Sequence, residues 1–233
     1  MRESKNILIS GATRGIGRSL AEHYLEQGHR VIGIGRNNST IEHPGYSHFA
    51  ADVSKEATIR PVFQAVRVRF GHLDAAINCA GVASMNHAIL TPMTSVAHIL
   101  DVNVAGTFLI CREAAKLMRS AEGGRIVNLG SVAAALDLEG EAIYAASKAA
   151  VHSLSRILAR EFAALGVTVN TLAPTPVATD LIASVPQGTI KALVDRQAIK
   201  RLGEMADVQN VVDFFLSPAS AFITGQIIYL GGI

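Results

Sequence analysis

Lys5-Asn6-Ile7-Leu8-Ile9-Ser10-Gly11-Ala12-Thr13-Arg14-Gly15-Ile16-Gly17 reads as a short apolar strand running straight into a glycine turn. A helix follows at once. Ile16, Leu20 and Tyr24 recur at helical spacing, with Ala21 and Leu25 beside them, until Gly28 offers a C-terminal cap. A glycine turn between a strand and a helix lets backbone N–H groups approach a pyrophosphate, and the helix N-terminus adds its partial positive charge. Gly-x-x-x-Gly-x-Gly is not the commoner Gly-x-Gly-x-x-Gly, and such a turn also serves plain tight packing. Its place between strand and helix favours nucleotide binding.

Outward from this unit the pattern repeats. Apolar runs at Arg30 to Ile34, Tyr46 to Ala51, Leu73 to Asn78, Arg125 to Gly130, Val167 to Leu172 and Gln226 to Leu230 alternate with helical stretches. Strict alternation predicts an α/β fold, a single-domain doubly wound parallel sheet of about seven strands with helices on both faces, the Rossmann arrangement. Ile59, Val62, Phe63, Val66 and Phe70 trace one helical stripe, and Pro61 inside it predicts a late start or a kink. Residues 174–201, with Pro174, Pro176 and Pro186, are the least regular part and read as a substrate lid or a plain surface excursion.

Composition narrows the function. The 233 residues are 49% hydrophobic with a mean hydropathy of +0.31, which suits a sheet buried on both faces. No apolar run approaches the ~18 residues that span a membrane, and Ile7-Leu8-Ile9 is too short for a signal-peptide core, so a cytoplasmic protein is expected. A net charge of +2 with scattered basic residues implies neither nucleic acid nor an anionic membrane as partner. Cys79 and Cys111 lack metal or disulfide spacing and read as small buried hydrophobes, and no His-x-x-x-His pair occurs.

Chemistry-bearing groups collect between Ser131 and Lys148. Tyr144 and Lys148 are four apart, so in a helix the ammonium sits beside the phenol, stabilising the phenolate and lowering its pKa. The same spacing also arises where a tyrosine merely neighbours a solvated lysine. Ser131 ends an apolar run and should stand at the carboxyl end of a buried strand, where open α/β sheets place ligands. The second strand ends in Gly35-Arg36, without the acid that binds ribose hydroxyls in NAD sites, and Arg36 with Arg14 can reach the 2′-phosphate of NADP or be simply solvated. Asp52 ends the third strand. Asn103 reads as a mid-helix asparagine hydrogen-bonding its local backbone.

Gly11-x-x-x-Gly15-x-Gly17, Asn78-x-Ala80-Gly81, Asn103, Ser131 and Tyr144-x-x-x-Lys148, in this order, resemble the short-chain dehydrogenase/reductase family over essentially the whole chain. Within it the chain looks most like 3-oxoacyl-[acyl-carrier-protein] reductases. The resemblance implies NADP(H) as cofactor, Tyr144 as general acid or base, and Lys148 holding the nicotinamide ribose. It makes Ser131 a donor to the substrate oxygen, and has Asn103 bend its helix around a relay water. By the same resemblance Gly11, Arg14, Gly15, Ile16 and Gly17 would line the diphosphate and adenosine end. Asp52 and Val53 would meet the adenine edge, and Asn78 and Gly81 the adenosine ribose. Val177 and Thr179 would lie at the nicotinamide carboxamide, and Thr13, Ala80 and Pro174 count among the cofactor-binding positions. Thr175-Pro176 and the missing aspartate before Gly231-Gly232 depart from the family pattern.

Three functions compete. The first is reduction of a 3-oxoacyl thioester, with Lys191, Arg196, Lys200 and Arg201 attracting an acidic carrier, against which stand Asp137, Glu139 and Glu141. The second keeps the chemistry on a free hydroxylated ring, sugar or aliphatic ketone. The third is a non-catalytic NADP(H) sensor. The resemblance also suggests a homotetramer or homodimer packed partly through Ala145, Ala146, Ala149 and Ala150.

Overall fold

The computed structural model describes residues 4–121, 123–178 and 187–233. Seven strands, β1 (Asn6–Ser10), β2 (Arg30–Gly35), β3 (Tyr46–Ala50), β4 (Ala75–Asn78), β5 (Gly124–Leu129), β6 (Val167–Ala173) and β7 (Ile227–Tyr229), form one sheet in the order β3-β2-β1-β4-β5-β6-β7. Every pairing is parallel. The chain runs outward from β1 on one side and from β4 on the other, so the switch point lies between β1 and β4, where such sheets bind ligands.

Alternation along the strands feeds two cores. Leu8, Ile32, Ala76, Ile126 and Val169 pack on one face with α2 (Glu56–Phe70), α4 (Thr107–Met118) and α6 (Ala142–Glu161). Ile7, Ile9, Val31, Ile77 and Val127 pack on the other with α1 (Gly15–Glu26) and α8 (Met205–Leu216). Both faces are covered, which is why the strands read as nearly continuous apolar runs. Gly28, with φ of 81°, takes the left-handed position just after α1.

Two readings are corrected. The helix carrying Pro61 starts at Glu56, well before the proline, and continues through it. Pro61 is exposed, so water can serve the carbonyl that loses its N–H partner. The helical run Met93–Ala121 is, by length and composition, apolar enough to cross a membrane, although no unbroken apolar run of that length exists. It comprises α3 (Met93–Leu100), a π-helical turn (Asp101–Gly106), α4 and a short 3-10 turn, and its apolar residues Ile110, Ala114 and Met118 belong to the core.

One polar row crosses the sheet near its carboxyl edge. Strand register sets Ser10, Asn78, Asn128 and Thr171 side by side on β1, β4, β5 and β6. The Asn78 amide donates to Asn128 Oδ1 at 2.8 Å and lies 3.3 Å from Cys111 Sγ, and the Asn128 amide donates to Ser155 Oγ at 2.8 Å. Ser10 Oγ donates to Asn78 Oδ1 at 3.3 Å and accepts from the Ala80 N–H at 3.2 Å. Burial of these amides is tolerated because they satisfy one another. Asn128→Leu keeps the branched skeleton of the side chain, with bulkier ends, but takes away the acceptor of the buried Asn78 amide. It is expected to cost about 1–3 kcal/mol, read as a lower urea midpoint; an unchanged midpoint would contradict this role for the row.

Candidate active site

The glycines at the first turn are there for space. Gly11 has φ of 70°, and a Cβ on it would stand 2.8 Å from the Ala80 backbone nitrogen; Gly17 lies against the Gly11 carbonyl. Gly15, at φ of 55°, opens α1. The β1 and β4 turns therefore touch, and α1 begins with no side-chain cap on its first N–H groups. Beside them runs a cleft of about 970 Å³. Arg14, Arg36 and Asp52 line one end, and Ser131, Glu141 and Tyr144 the other. Thr13, Ile16, Val53, Ala80, Gly81, Pro174 and Val177 lie along it. Cys79, half-buried, is part of the cleft wall; Cys111 is fully buried. Burial pushes both thiols up to about 12.

At the far end β5 delivers Ser131, whose Oγ accepts from the Ala133 N–H at 3.1 Å, at the start of the short helix α5 (Ala133–Leu136). Tyr144 and Lys148 project from the first turns of α6, with the ammonium 5.9 Å from the centre of the Tyr144 ring. Lys148 is only 6% exposed and donates to the Leu129 carbonyl at 2.8 Å. Asn103 lies in the π-helical turn and reaches across the chain. Its Oδ1 accepts from the Val82 N–H, and its amide donates to the Val82 carbonyl and to Ser147 Oγ, all at 2.9 Å. Ser147 in turn donates to the Tyr144 carbonyl at 2.7 Å. A Cβ at Gly81 would lie 3.4 Å from Asn103 Oδ1 and 3.5 Å from Lys148 Nζ, so Asn103, Lys148 and the Gly81 turn converge on one spot.

Burial sets the electrostatics here. It raises the Tyr144 phenol above its ordinary value, with the Ser131 hydroxyl opposing and the Glu141 carboxylate reinforcing the shift. This reverses the direction expected from the tyrosine–lysine spacing: the ammonium is engaged by the Leu129 carbonyl, and desolvation of the phenol outweighs it. Burial also lowers Lys148 to about 8, while desolvation raises the Glu141 carboxyl.

Other expectations are redistributed. Asn78 does not line the cleft, because its side chain is used in the polar row. Asn103 and Lys148 lie beneath the lining, and Asn103 bonds to a distant loop where a local backbone bond was expected. Thr175 is 5% exposed and packs against Gly203 and Gly231, whose missing side chains make the room. Arg201 is held bidentately by Asp207 in the first turn of α8, which offsets its charge, whereas Lys200 donates to the neutral Asp195 carbonyl and stays an exposed cation. Thr179 and Pro186 lie outside the described residues. Of the irregular stretch the structure describes α7 (Gln187–Arg196), which brings Ile190 and Leu193 to the cleft. Sequence reading passed over Ser147, Asn128 and His152; only Asn128, a polar residue inside an apolar strand, carried a visible signal.

A cleft at the switch point of the sheet, beside a glycine turn, with a serine and a tyrosine at one end and a buried lysine beneath them, defines an oxidoreductase of the short-chain dehydrogenase/reductase type. Residues 11–232 match the family model described as enoyl-(acyl carrier protein) reductase, and the chain belongs to the short-chain dehydrogenase/reductase family. It is 32% identical to the 3-oxoacyl-[acyl-carrier-protein] reductase FabG of Vibrio cholerae, over 99% of this chain and 97% of the relative. It also resembles the NADP-bound structure of ElxO, at 26% identity and a TM-score of 0.89 over 98% of this chain and 97% of that one. The ligand-free aldohexose dehydrogenase of Thermoplasma acidophilum is similar at 26% identity and a TM-score of 0.89, over 99% and 94%.

The buried ammonium has a measurable consequence. Between about 8 and 10.5 the folded protein has released the Lys148 proton while the unfolded chain, at the ordinary 10.5, retains it. Stability contributed at this site therefore rises with pH across that window. Lys148→Met lacks this gain, so the stability of wild type relative to the variant should increase from pH 8 to pH 10 in urea titrations; a pH-independent difference would contradict the desolvated ammonium.

Proposed function

We propose that this oxidoreductase reduces a ketone to a secondary alcohol with NADPH, acting on a 3-oxoacyl thioester or a ketone of similar shape. The observation that carries the reading is the convergence of Ser131, Tyr144, Lys148 and Asn103 at one end of a glycine-built cleft. The cleft fits a dinucleotide. Gly11 and Gly17 let the β1 turn, the Ala80 turn and the start of α1 pack where a Cβ would meet backbone, and Gly15 holds φ of 55° at the first residue of α1. The uncapped start of that helix suits a diphosphate, and Arg14 and Arg36 put cations at the adenosine end. Thr13, Ile16, Asp52, Val53, Ala80, Gly81, Pro174 and Val177 complete the wall, with Thr179 assigned to it by sequence alone. When bound, the nicotinamide supplies the hydride.

The chain's own groups supply the rest. Ser131 donates to the substrate oxygen and polarises it. The half-buried phenol, its pKa raised by desolvation, keeps its proton at neutral pH, the form that reduction requires, and Tyr144 delivers it to that oxygen. Lys148, charged below about 8, holds ribose hydroxyls and stabilises the phenolate as it forms. Asn103 pins the Val82 loop and, through Ser147, the backbone of Tyr144.

For the substrate, the FabG likeness favours a 3-oxoacyl thioester, and the apolar lining from Val82, Met85, Leu138, Ile190 and Leu193 suits an acyl chain. The described part of residues 174–201 would enclose it. Lys191, Arg196 and Lys200 remain exposed as contacts for an acidic carrier. A second reading, a free hydroxylated ring or sugar, draws on the aldohexose dehydrogenase likeness and on the Glu141 carboxylate at the substrate end. Exposed Phe108 on α4 and Ile157 on α6 offer apolar surface for a homotetramer, which sedimentation of the purified protein would check; a cytoplasmic location is proposed from the sequence alone.

Turnover of acetoacetyl-CoA against a panel of small ketones, each with NADPH and NADH, separates the two substrate readings. Tyr144→Phe should abolish reduction while NADPH binding by fluorescence survives; undiminished turnover would contradict the role given to the phenol. Arg36→Ala should raise the KM for NADPH by roughly 10- to 100-fold, the worth of charge-assisted phosphate bonds, and leave that for NADH nearly unchanged. Equal effects on both would contradict the 2′-phosphate assignment.

A further inference from the structure

His152 sits one helical turn beyond Lys148 on α6 and is 5% exposed. Its ring has two unlike ends. Nδ1 lies 3.3 Å from the Tyr229 hydroxyl of β7, and the two rings meet edge to face at 5.6 Å and 84°. Nε2 is buried without a partner among the described residues and lies against Gly130, where a Cβ would have no room. Gly130 links Leu129, whose carbonyl holds the Lys148 ammonium, to Ser131. The imidazole therefore buttresses the turn that presents both groups. The absence of any side chain at Gly130 is what lets it come so close.

Tyr229 extends the contact toward the substrate. It packs against the buried cluster of Val132, Leu136 and Leu193, which Leu138 also covers, and Val132, Leu138 and Leu193 line the cleft. A chain laid on that wall presses on a surface linked to the Leu129–Ser131 turn by the Tyr229–His152 hydrogen bond and the packing of His152 on Gly130.

We propose that His152 is a positioning residue which, through Gly130, holds the Leu129 carbonyl and the Ser131 hydroxyl in register, and through Tyr229 couples them to the apolar wall that receives the substrate chain. The inference rests on the catalytic reading of Ser131, Tyr144 and Lys148. Desolvation, with Lys148 and Arg156 as neighbouring cations on α6, lowers His152 to about 4, so the buttress is a neutral imidazole at physiological pH. From β7 it faces Tyr229, and from β5 the backbone at Gly130. A neutral ring with Tyr229 as donor leaves Nε2 with the proton, packed against backbone, a cost tolerated for the sake of placement.

Two variants test it, each keeping an aromatic ring. Tyr229→Phe and His152→Phe remove the hydrogen bond from opposite sides. Each is expected to lower kcat on the order of 10-fold, as displacement of catalytic groups does, with NADPH affinity and the KM for a short ketone changed by less than about 2-fold. The double variant should be no worse than the poorer single one, because both cut the same link. Lengthening the acyl chain of a 3-oxoacyl thioester should raise kcat in wild type more than in Tyr229→Phe. Tyr229 is partly exposed, so should His152→Phe fail to fold, Tyr229→Phe decides alone. A folded Tyr229→Phe with wild-type kcat and chain-length dependence, beside an inactive Tyr144→Phe, would overturn this inference and leave the catalytic reading standing. Activity surviving in Tyr144→Phe would instead remove that reading and this one with it.

Discussion

A lysine that is only 6% exposed must be given somewhere to place its charge, and much of the site can be understood from that requirement. The Leu129 carbonyl, at the carboxyl end of β5, supplies the acceptor at 2.8 Å. That carbonyl is open to Lys148 because β5 has ended there and the next residues turn away as Gly130 and Ser131. The carboxyl end of a buried parallel strand thus provides a backbone dipole, a turn and a hydroxyl together. Lys148 and Tyr144 reach the same place because α6 stacks residues four apart.

The helical run opposite has been shaped to the same end. A continuous α-helix through Asn103 would keep its side chain among its own turns; the π-helical segment Asp101–Gly106 instead accompanies an amide that grips both backbone groups of Val82 and the hydroxyl of Ser147. Thr107 Oγ1 donates to the Asn103 carbonyl at 2.7 Å, which steadies the widened turn. Gly81 can then lie over Asn103 and Lys148 without a side chain in the way. Energetically this is a trade in which several buried polar groups are desolvated and nearly all find partners, the condition for rigid catalytic geometry.

Strand count, the parallel doubly wound class and the placing of the glycine turn were legible in the sequence because they follow from periodicity, punctuation and the alternation of strand with helix, whereas the order of the strands in the sheet came only from the structure. The tyrosine–lysine pair was legible for the same reason: a spacing of four is a helix-face statement. What was not legible depends on partners distant in sequence. Asn78 is taken up by Asn128, 50 residues away, and Asn103 by Val82, 21 residues away. Thr175, which breaks the family pattern, is accommodated by glycines at 203 and 231. The direction of the Tyr144 shift was misjudged because spacing reports a neighbouring charge but not the depth of burial, and burial prevails. Pro61 misled for a simpler reason, since its exposed face lets water replace the lost bond.

Most direct for the central claim is a structure of the protein with NADPH bound. It should show Lys148 Nζ and the Tyr144 hydroxyl both within about 3 Å of the nicotinamide ribose hydroxyls, with Lys148 still close to the Leu129 carbonyl and Ser131 across from the ring. A complex in which the coenzyme lies along the cleft while either side chain is turned away from the ribose would contradict the account.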